Sequence, residues 1–238
     1  MRKMKGSGNY LKNQVRKNLA KAIACLLLFF LIIGGIGLRV LFTLSLNLLE
    51  VVGLVLSLVP LGAFFIFLRK YHVYGGGWNG EKQVINLLSS KLSDDFLLLN
   101  SLYLRGGGGD IDHVVLSPGG IFVLETKNWS GNIVCNGDNW QRSGKESFNA
   151  SPSRQVKRNV ATIRSIIDSN STLRHLGIWV QGIIVFTNVH ANLRINNPTA
   201  LIVKLPQLPD QILANSGSKT FSHDQLEEIA EEILKQKR

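Results

Sequence analysis

Apolar and polar positions divide the chain into two regimes. The first third is carried by long apolar runs at 22–38 and 51–68, neither holding a charge. A membrane-crossing helix needs about 20 mostly apolar residues, and each run reaches that length with its flanks. From residue 78 onward the runs shorten and become periodic. Val84, Leu87, Leu88 and Leu92 recur at helical spacing and predict a helix over 79–92. Residues 96–104 predict an apolar strand, and the four glycines 106–109 a flexible loop or tight turn. Two apolar runs flank Ser117, Pro118, Gly119 and Gly120. Proline presets φ for a turn and glycine supplies positive φ, so this stretch predicts a β-hairpin. A short strand follows at 131–135, and 140–150 is polar and irregular. Pro152 opens a helix capped by Ser151 and running to about 167, with Val156, Val160, Ile163 and Ile167 as its buried stripe. Strands are predicted at 178–186, buried on both faces at its apolar end, and at 201–204. Residues 206–214 predict a short helix. Ser222 caps a last helix ending near Lys235, with Ile229 and Ile233 on its apolar face. This order predicts an α/β fold, a mixed central sheet with helices on both faces.

Four regions follow: a basic N-terminus (1–21), a transmembrane hairpin (22–70), a linker (71–77) built on Gly75, Gly76 and Gly77, and the α/β domain with a C-terminal helical tail (78–238). About 160 residues are enough for one core. Pro60 lies inside the second apolar run, which membrane helices tolerate. A cleavable signal peptide is the rival for the first run, and the second run anchors the chain either way. Net charge is +11, and residues 1–70 carry +9 of it, with ten Lys/Arg against Glu50 alone. The basic balance therefore marks membrane flanks rather than nucleic acid. By the positive-inside rule both termini and the soluble domain lie in the cytoplasm, the loop near 39–50 lies outside, and the chain is a multi-pass protein of the inner membrane. Cys25 and Cys135 are too few for a disulfide framework or a zinc site.

The hairpin also carries the candidate chemistry. With Pro118 and Gly119 as its loop, paired positions place Asp112 opposite Glu125 and Asp110 opposite Lys127. Opposed carboxylates repel unless a cation or proton sits between them. An oxygen-rich clamp beside an ammonium suits a hard divalent ion and an activated water. Asp112 and Glu125 would hold Mg²⁺ or Mn²⁺, with the Thr126 carbonyl as a third ligand. Lys127 would orient or deprotonate the water or neutralise developing charge. Neighbouring carboxylates push a lysine pKa up, which favours the electrostatic role. Asp110 is a salt-bridge partner for Lys127 in preference to a ligand. His113 points away from Asp112 along the strand and is expected in the opposite layer. Arg154, Lys157 and Arg158 share one side of their helix, with Arg142 and Lys145 ahead of them. They are either a phosphate-binding surface or a solvated face. Trp129 and Trp140 are either base-stacking or packing residues. No motif for reading bases is present.

Gly80-Glu81 opening a helix, Ile111-Asp112-His113, the run from Gly120 through Glu125-Thr126-Lys127-Asn128-Trp129, Gly131 and Gln155 in a helix follow in this order. Together they resemble the NERD, or nuclease-related, domain of the PD-(D/E)XK nuclease superfamily over about 78–190. The resemblance implies a restriction-endonuclease-like fold and a metal-dependent role on DNA. It implies Glu81 as a further metal ligand, against the alternative that Glu81 complements a helix N-terminus. It also implies that Gln155 touches substrate or braces the site. The function expected is a membrane-tethered, Mg²⁺- or Mn²⁺-dependent deoxyribonuclease. The alternatives are a non-catalytic nucleic-acid or protein-binding module that kept the fold, and a membrane scaffold that recruits partners.

Overall fold

The computed structural model describes residues 1–3, 10–105, 109–142, 151–215 and 220–237. The expected turn at 106–108 and the polar loop 143–150, with Lys145, lie outside them. In chain order the elements are β1 (Arg2–Lys3), α1 (Tyr10–Thr43), α2 (Leu48–Lys91), β2 (Leu97–Tyr103), β3 (Asp110–Ser117), β4 (Gly120–Lys127), β5 (Gly131–Asn136) and β6 (Asn139–Arg142). Then come α3 (Pro152–Ser169), α4 (Ser171–Arg174), β7 (Val180–Phe186), β8 (Ala191–Asn196), β9 (Leu201–Lys204), α5 (Leu208–Ala214) and α6 (His223–Lys235). The chain forms two compact units, Tyr10–Trp78 and Met1–Asn9 with Asn79–Arg238.

In the first unit, α1 and the first part of α2 are both long and apolar enough to cross a membrane. They turn back through 44–47. Leu44 takes a positive φ of 50°. Asn47 and Glu50 cap each other, Asn47 N donating to Glu50 Oε2 at 2.7 Å and Glu50 N to Asn47 Oδ1 at 3.0 Å. Arg39 pairs with Glu50 at 3.1 Å. Three glycines in a row predict a break at 71–77, since each costs about 1 kcal/mol against alanine in a helix. The structure corrects that expectation: α2 runs through Gly75, Gly76 and Gly77 without interruption. Gly80 and Glu81, expected to open a helix, accordingly lie well inside one.

The second unit is mixed α/β. Its main sheet has the order β1-β2-β3-β4-β7-β9, with β2, β3 and β4 antiparallel and β4, β7 and β9 parallel. A second, three-stranded sheet, β6-β5-β8, was not foreseen. Two short polar strands build its flanks, Asn139–Arg142 from the stretch expected to be irregular and Ala191–Asn196 from a stretch for which no element was predicted. Side chains alternate along β4, so Ile121 and Val123 pack with Ile163 and Ile167 of α3 and Ile229 and Ile233 of α6. Phe122 and Leu124 face the other way, onto Val84 and Leu88 of α2 and Ile212 of α5. The apolar stripe of each helix therefore decides which face of the sheet it covers. Ser151 caps α3 as expected, accepting from Arg154 N, and Ser222 caps α6 in a reciprocal box with Gln225.

Candidate active site

Ser117 closes the hairpin turn. Its hydroxyl donates to Gly120 O at 2.9 Å and accepts from Gly119 N at 3.2 Å. That turn sets the register His113↔Leu124 through Ser117↔Gly120, the one the turn residues predict. Pairing then stops. Beyond His113, β3 follows β2 instead, with Ile111 opposite Leu102 and Asp110 opposite Tyr103. The Asp112 carboxylate takes over as acceptor for the Thr126 N–H at 2.6 Å. The splay opens a notch between the start of β3 and the end of β4, and the acidic residues stand in it.

Glu125 and Lys127 project from one face of β4 toward α3. Lys127 Nζ sits 2.6 Å from Glu125 Oε1 and 3.3 Å from Gln155 Oε1. It also lies 5.6 Å from the centre of the Trp129 ring. The ion pair that sequence reasoning gave to Asp110 is thus made by Glu125, because the strands part before Asp110 can face Lys127. Glu125 is 1 % exposed, and its second oxygen, Oε2, is buried with no hydrogen-bond partner. Burial is the main force pushing the Glu125 carboxyl up to about 8; the Asp112 charge adds to it, while Lys127 and Arg158 pull back. The Asp112 carboxyl rises to about 6, again by burial first, against Lys127 and the Thr126 N–H.

Glu81 reaches the same cluster from α2. Ser101 Oγ donates to its Oε2 at 3.3 Å. Burial and the charges of Asp112 and Asp110 raise the Glu81 carboxyl to about 8. A residue so far inside α2 is no complement to a helix N-terminus, so that alternative falls. Burial alone raises the Asp110 carboxyl. Ser101 and Asn159, whose Nδ2 donates to Asp110 O at 3.5 Å, were not singled out from the sequence. Ser101 owes its place to a left-handed φ of 47° inside β2, which no residue type there announces.

Lys157 is not brought to the cluster: its ammonium binds both oxygens of Asp138, at 2.7 and 2.9 Å. Arg158 is close enough to act on Glu125, and Arg154 is exposed at the first turn of α3. Arg142 donates to Ser130 O and Oγ. Trp140 is packed against Phe186 at 5.8 Å and donates to Ser153, so it belongs to the core; Trp129 is half-buried beside it. His113 is fully buried, with Nδ1 2.8 Å from Asn100 Oδ1, and burial drives its pKa down to about 3. It takes no part in the notch.

Among the described residues no group of three or more His, Cys, Asp or Glu lies close enough to form a ready metal cage. What the notch offers instead is two mutually repelling carboxylates, Asp112 and Glu125, and one orphaned carboxylate oxygen. That donor set fits a hard cation, which keeps several waters and needs only one or two carboxylates.

Residues 76–187 match the family model of NERD, the nuclease-related domain. The matched span contains every member of the notch, from Glu81 to Gln155. No curated protein and no solved structure matches the chain.

Proposed function

We propose that the nuclease-related domain of this chain is a divalent-metal-dependent deoxyribonuclease held at a membrane by α1 and the first part of α2. The observation that carries the proposal is the buried, unpartnered Oε2 of Glu125 beside the Asp112 carboxylate. A buried acceptor left without a donor costs about 1–3 kcal/mol. The same geometry becomes favourable once a cation takes both carboxylates. Asp112 and Glu125 would hold Mg²⁺ or Mn²⁺, with Glu81 and the Thr126 carbonyl as the further oxygen donors at the notch. When bound, such an ion lowers the pKa of a coordinated water and offsets charge on a phosphate.

The chain's own residues supply the rest. The Lys127 ammonium, held by Glu125 and Gln155, stands where charge grows on a phosphate under attack. It acts as a fixed positive charge and water-orienting donor rather than a base, the role its contacts with Glu125 and Gln155 suit. Gln155 fixes the lysine rotamer and presents its amide to the notch. Arg158, close enough to act on Glu125, and Arg154, exposed at the first turn of α3, hold backbone phosphates of the DNA, a contact that weakens with salt.

Membrane attachment rests on the two long apolar helices and on β1. Residues Arg2 and Lys3 pair in parallel with Leu97 and Leu98 of the main sheet. This pairing supports a reading in which the segment before α1 and the domain after α2 lie on the same side, with two crossings between them. Both sit in the cytoplasm of the inner membrane in this proposal.

The test is cleavage of plasmid and of linear single-stranded DNA by the detergent-solubilised full chain with Mg²⁺ or Mn²⁺. Cleavage should vanish with chelator and with Glu125→Ala, and fall about 10²–10³-fold with Lys127→Ala, the loss typical of one charge-stabilising donor. The lack of a ready three-residue cage among the described residues favours one second reading, a module that binds nucleic acid without cutting it. DNA binding with no cleavage under any divalent ion would establish that reading instead.

A further inference from the structure

On the flank of α3 turned away from the notch lies a cleft of about 520 Å³. At 100° per residue, Gln155 and Arg158 lie on one side of the helix axis, and Val160 and Arg164 nearly opposite. The cleft is therefore separate from the acidic notch. Its walls are Val156 and Val160 of α3, the Val180–Gly182 segment of β7, and the approach to β9 from Pro198 to Leu201. It exists for a definite reason. β9 begins at Leu201 opposite Ile183, so the preceding residues of β7 have no β9 partner. Gly182 keeps the floor open and close to the helix, since a Cβ there would stand 2.8 Å from Val156 Cγ2.

The chemistry of the walls is specific. Arg164 is held in place by a 3.0 Å bond from Nη2 to Val180 O. It forms no ion pair among the described residues, so most of its five donors remain for a ligand. A guanidinium fork of this kind suits a phosphate in a bidentate pair. Lys157 lines the same cleft, its charge already balanced by Asp138, which also accepts from the Thr199 hydroxyl. Among the described residues no acidic one lines the cleft. Val156 and Val160 of α3 and Pro198 give it an apolar lining. The unpaired edge of β7 supplies backbone hydrogen-bonding groups between them. A long acyl chain would bury those groups without partners at a cost; the edge of a nucleobase would satisfy them. The volume falls in the range of about 300–1,000 Å³ found for small-molecule sites.

The geometry points to a nucleoside monophosphate as the occupant, with its phosphate on Arg164 and its base between Val160 and Pro198 against the β7 edge. This site does not depend on the notch being catalytic. Isothermal titration of the detergent-solubilised full chain with AMP tests it. AMP binds with one-to-one stoichiometry, and Arg164→Ala weakens it by about tenfold or more, the loss expected for a charge-assisted bidentate contact. Pro198→Trp, at the exposed rim, blocks the cleft without touching the core and abolishes binding even if Arg164→Ala proves poorly folded. Adenosine and inorganic phosphate each bind at least about tenfold more weakly than AMP, since each lacks half of the contacts. Glu125→Ala leaves the affinity unchanged. The proposal is overturned if millimolar AMP does not bind, if both cleft variants bind like the wild type, if phosphate alone binds as well as AMP, or if Glu125→Ala removes binding.

Discussion

The Glu125 carboxyl is raised to about 8 because almost no water reaches it and Asp112 repels its charge, with the Lys127 ammonium pulling the other way. That has a thermodynamic consequence with a definite sign. Below about 4.5, the ordinary glutamate value, the carboxyl is protonated in folded and unfolded chains alike. Between there and about 8 only the folded state holds the proton, so folding is weakened steadily as pH rises through that window. Asp112 adds the same trend up to about 6, and Glu81 up to about 8. Thermal unfolding of the metal-free protein should therefore show a lower melting temperature at pH 8 than at pH 5. Glu125→Gln, which cannot ionise, should flatten that slope and melt above the wild type at pH 8. Added Mg²⁺ should reverse the trend in the wild type, since the ion displaces the proton. Saturation at about 100 times the dissociation constant is worth ~2.7 kcal/mol. The gain should be largest at pH 8 and much smaller in Glu125→Gln. A melting temperature that ignores both pH and Mg²⁺ would leave the notch without its cation. Sequence pattern reaches the identity of these groups, because a turn of Ser117, Pro118, Gly119 and Gly120 fixes which residues oppose each other. It does not reach the partner of Lys127. That depends on where β3 leaves β4, beyond His113 and Leu124.

At the scale of elements, the position of α2 decides whether Glu81 reaches the notch. Gly80 makes the approach possible: a Cβ there would lie 2.9 Å from Thr187 Oγ1 and 3.1 Å from Asn128 Cβ. Both neighbours belong to the chain just beyond β4 and β7, so neither can swing far. Gly80→Ala should push α2 off the ends of these strands, lift Glu81 from Ser101, and cost about 1–3 kcal/mol, the usual penalty for overpacking. Paired melting and cleavage measurements check this. A variant as stable and as active as the wild type would show that α2 has slack at this point. Helix stripes and hairpin runs were readable because burial repeats with the period of the element; α3, α6 and β4 follow that rule closely. The continuity of α2 through three glycines was not readable. Local propensity argues for a break, and only the packing of Val84, Leu88 and Leu92 on the sheet explains why the helical end is held. The flanking strands of the small sheet were hidden for the opposite reason: only one side of β8 is covered, and its sequence, ANLRIN, is mostly polar.

For the whole molecule, the pairing of β1 with β2 constrains how the chain can cross a bilayer. A strand formed by residues 2–3 and strands formed after residue 78 share one sheet, which favours one compartment for both under the proposed anchoring. Two crossings satisfy this, with the turn at 44–47 on the opposite face. One crossing, left by cleavage within the first apolar run, does not, because it would separate β1 from β2. The charge pattern agrees, with basic residues ahead of α1 and Arg69 and Lys70 after the apolar part of α2. Single cysteines placed in a Cys25→Ser, Cys135→Ser background make the prediction measurable. Leu46→Cys, at an exposed position of the turn, should react with a membrane-impermeant maleimide added to intact spheroplasts. Ser171→Cys, exposed at the start of α4, should react only after lysis. Labelling of both positions from the same side would remove the hairpin from the membrane, and with it the reason to place this domain at the cytoplasmic surface. The acidic notch would stand unaffected, since every group in it belongs to the domain that folds around the main sheet.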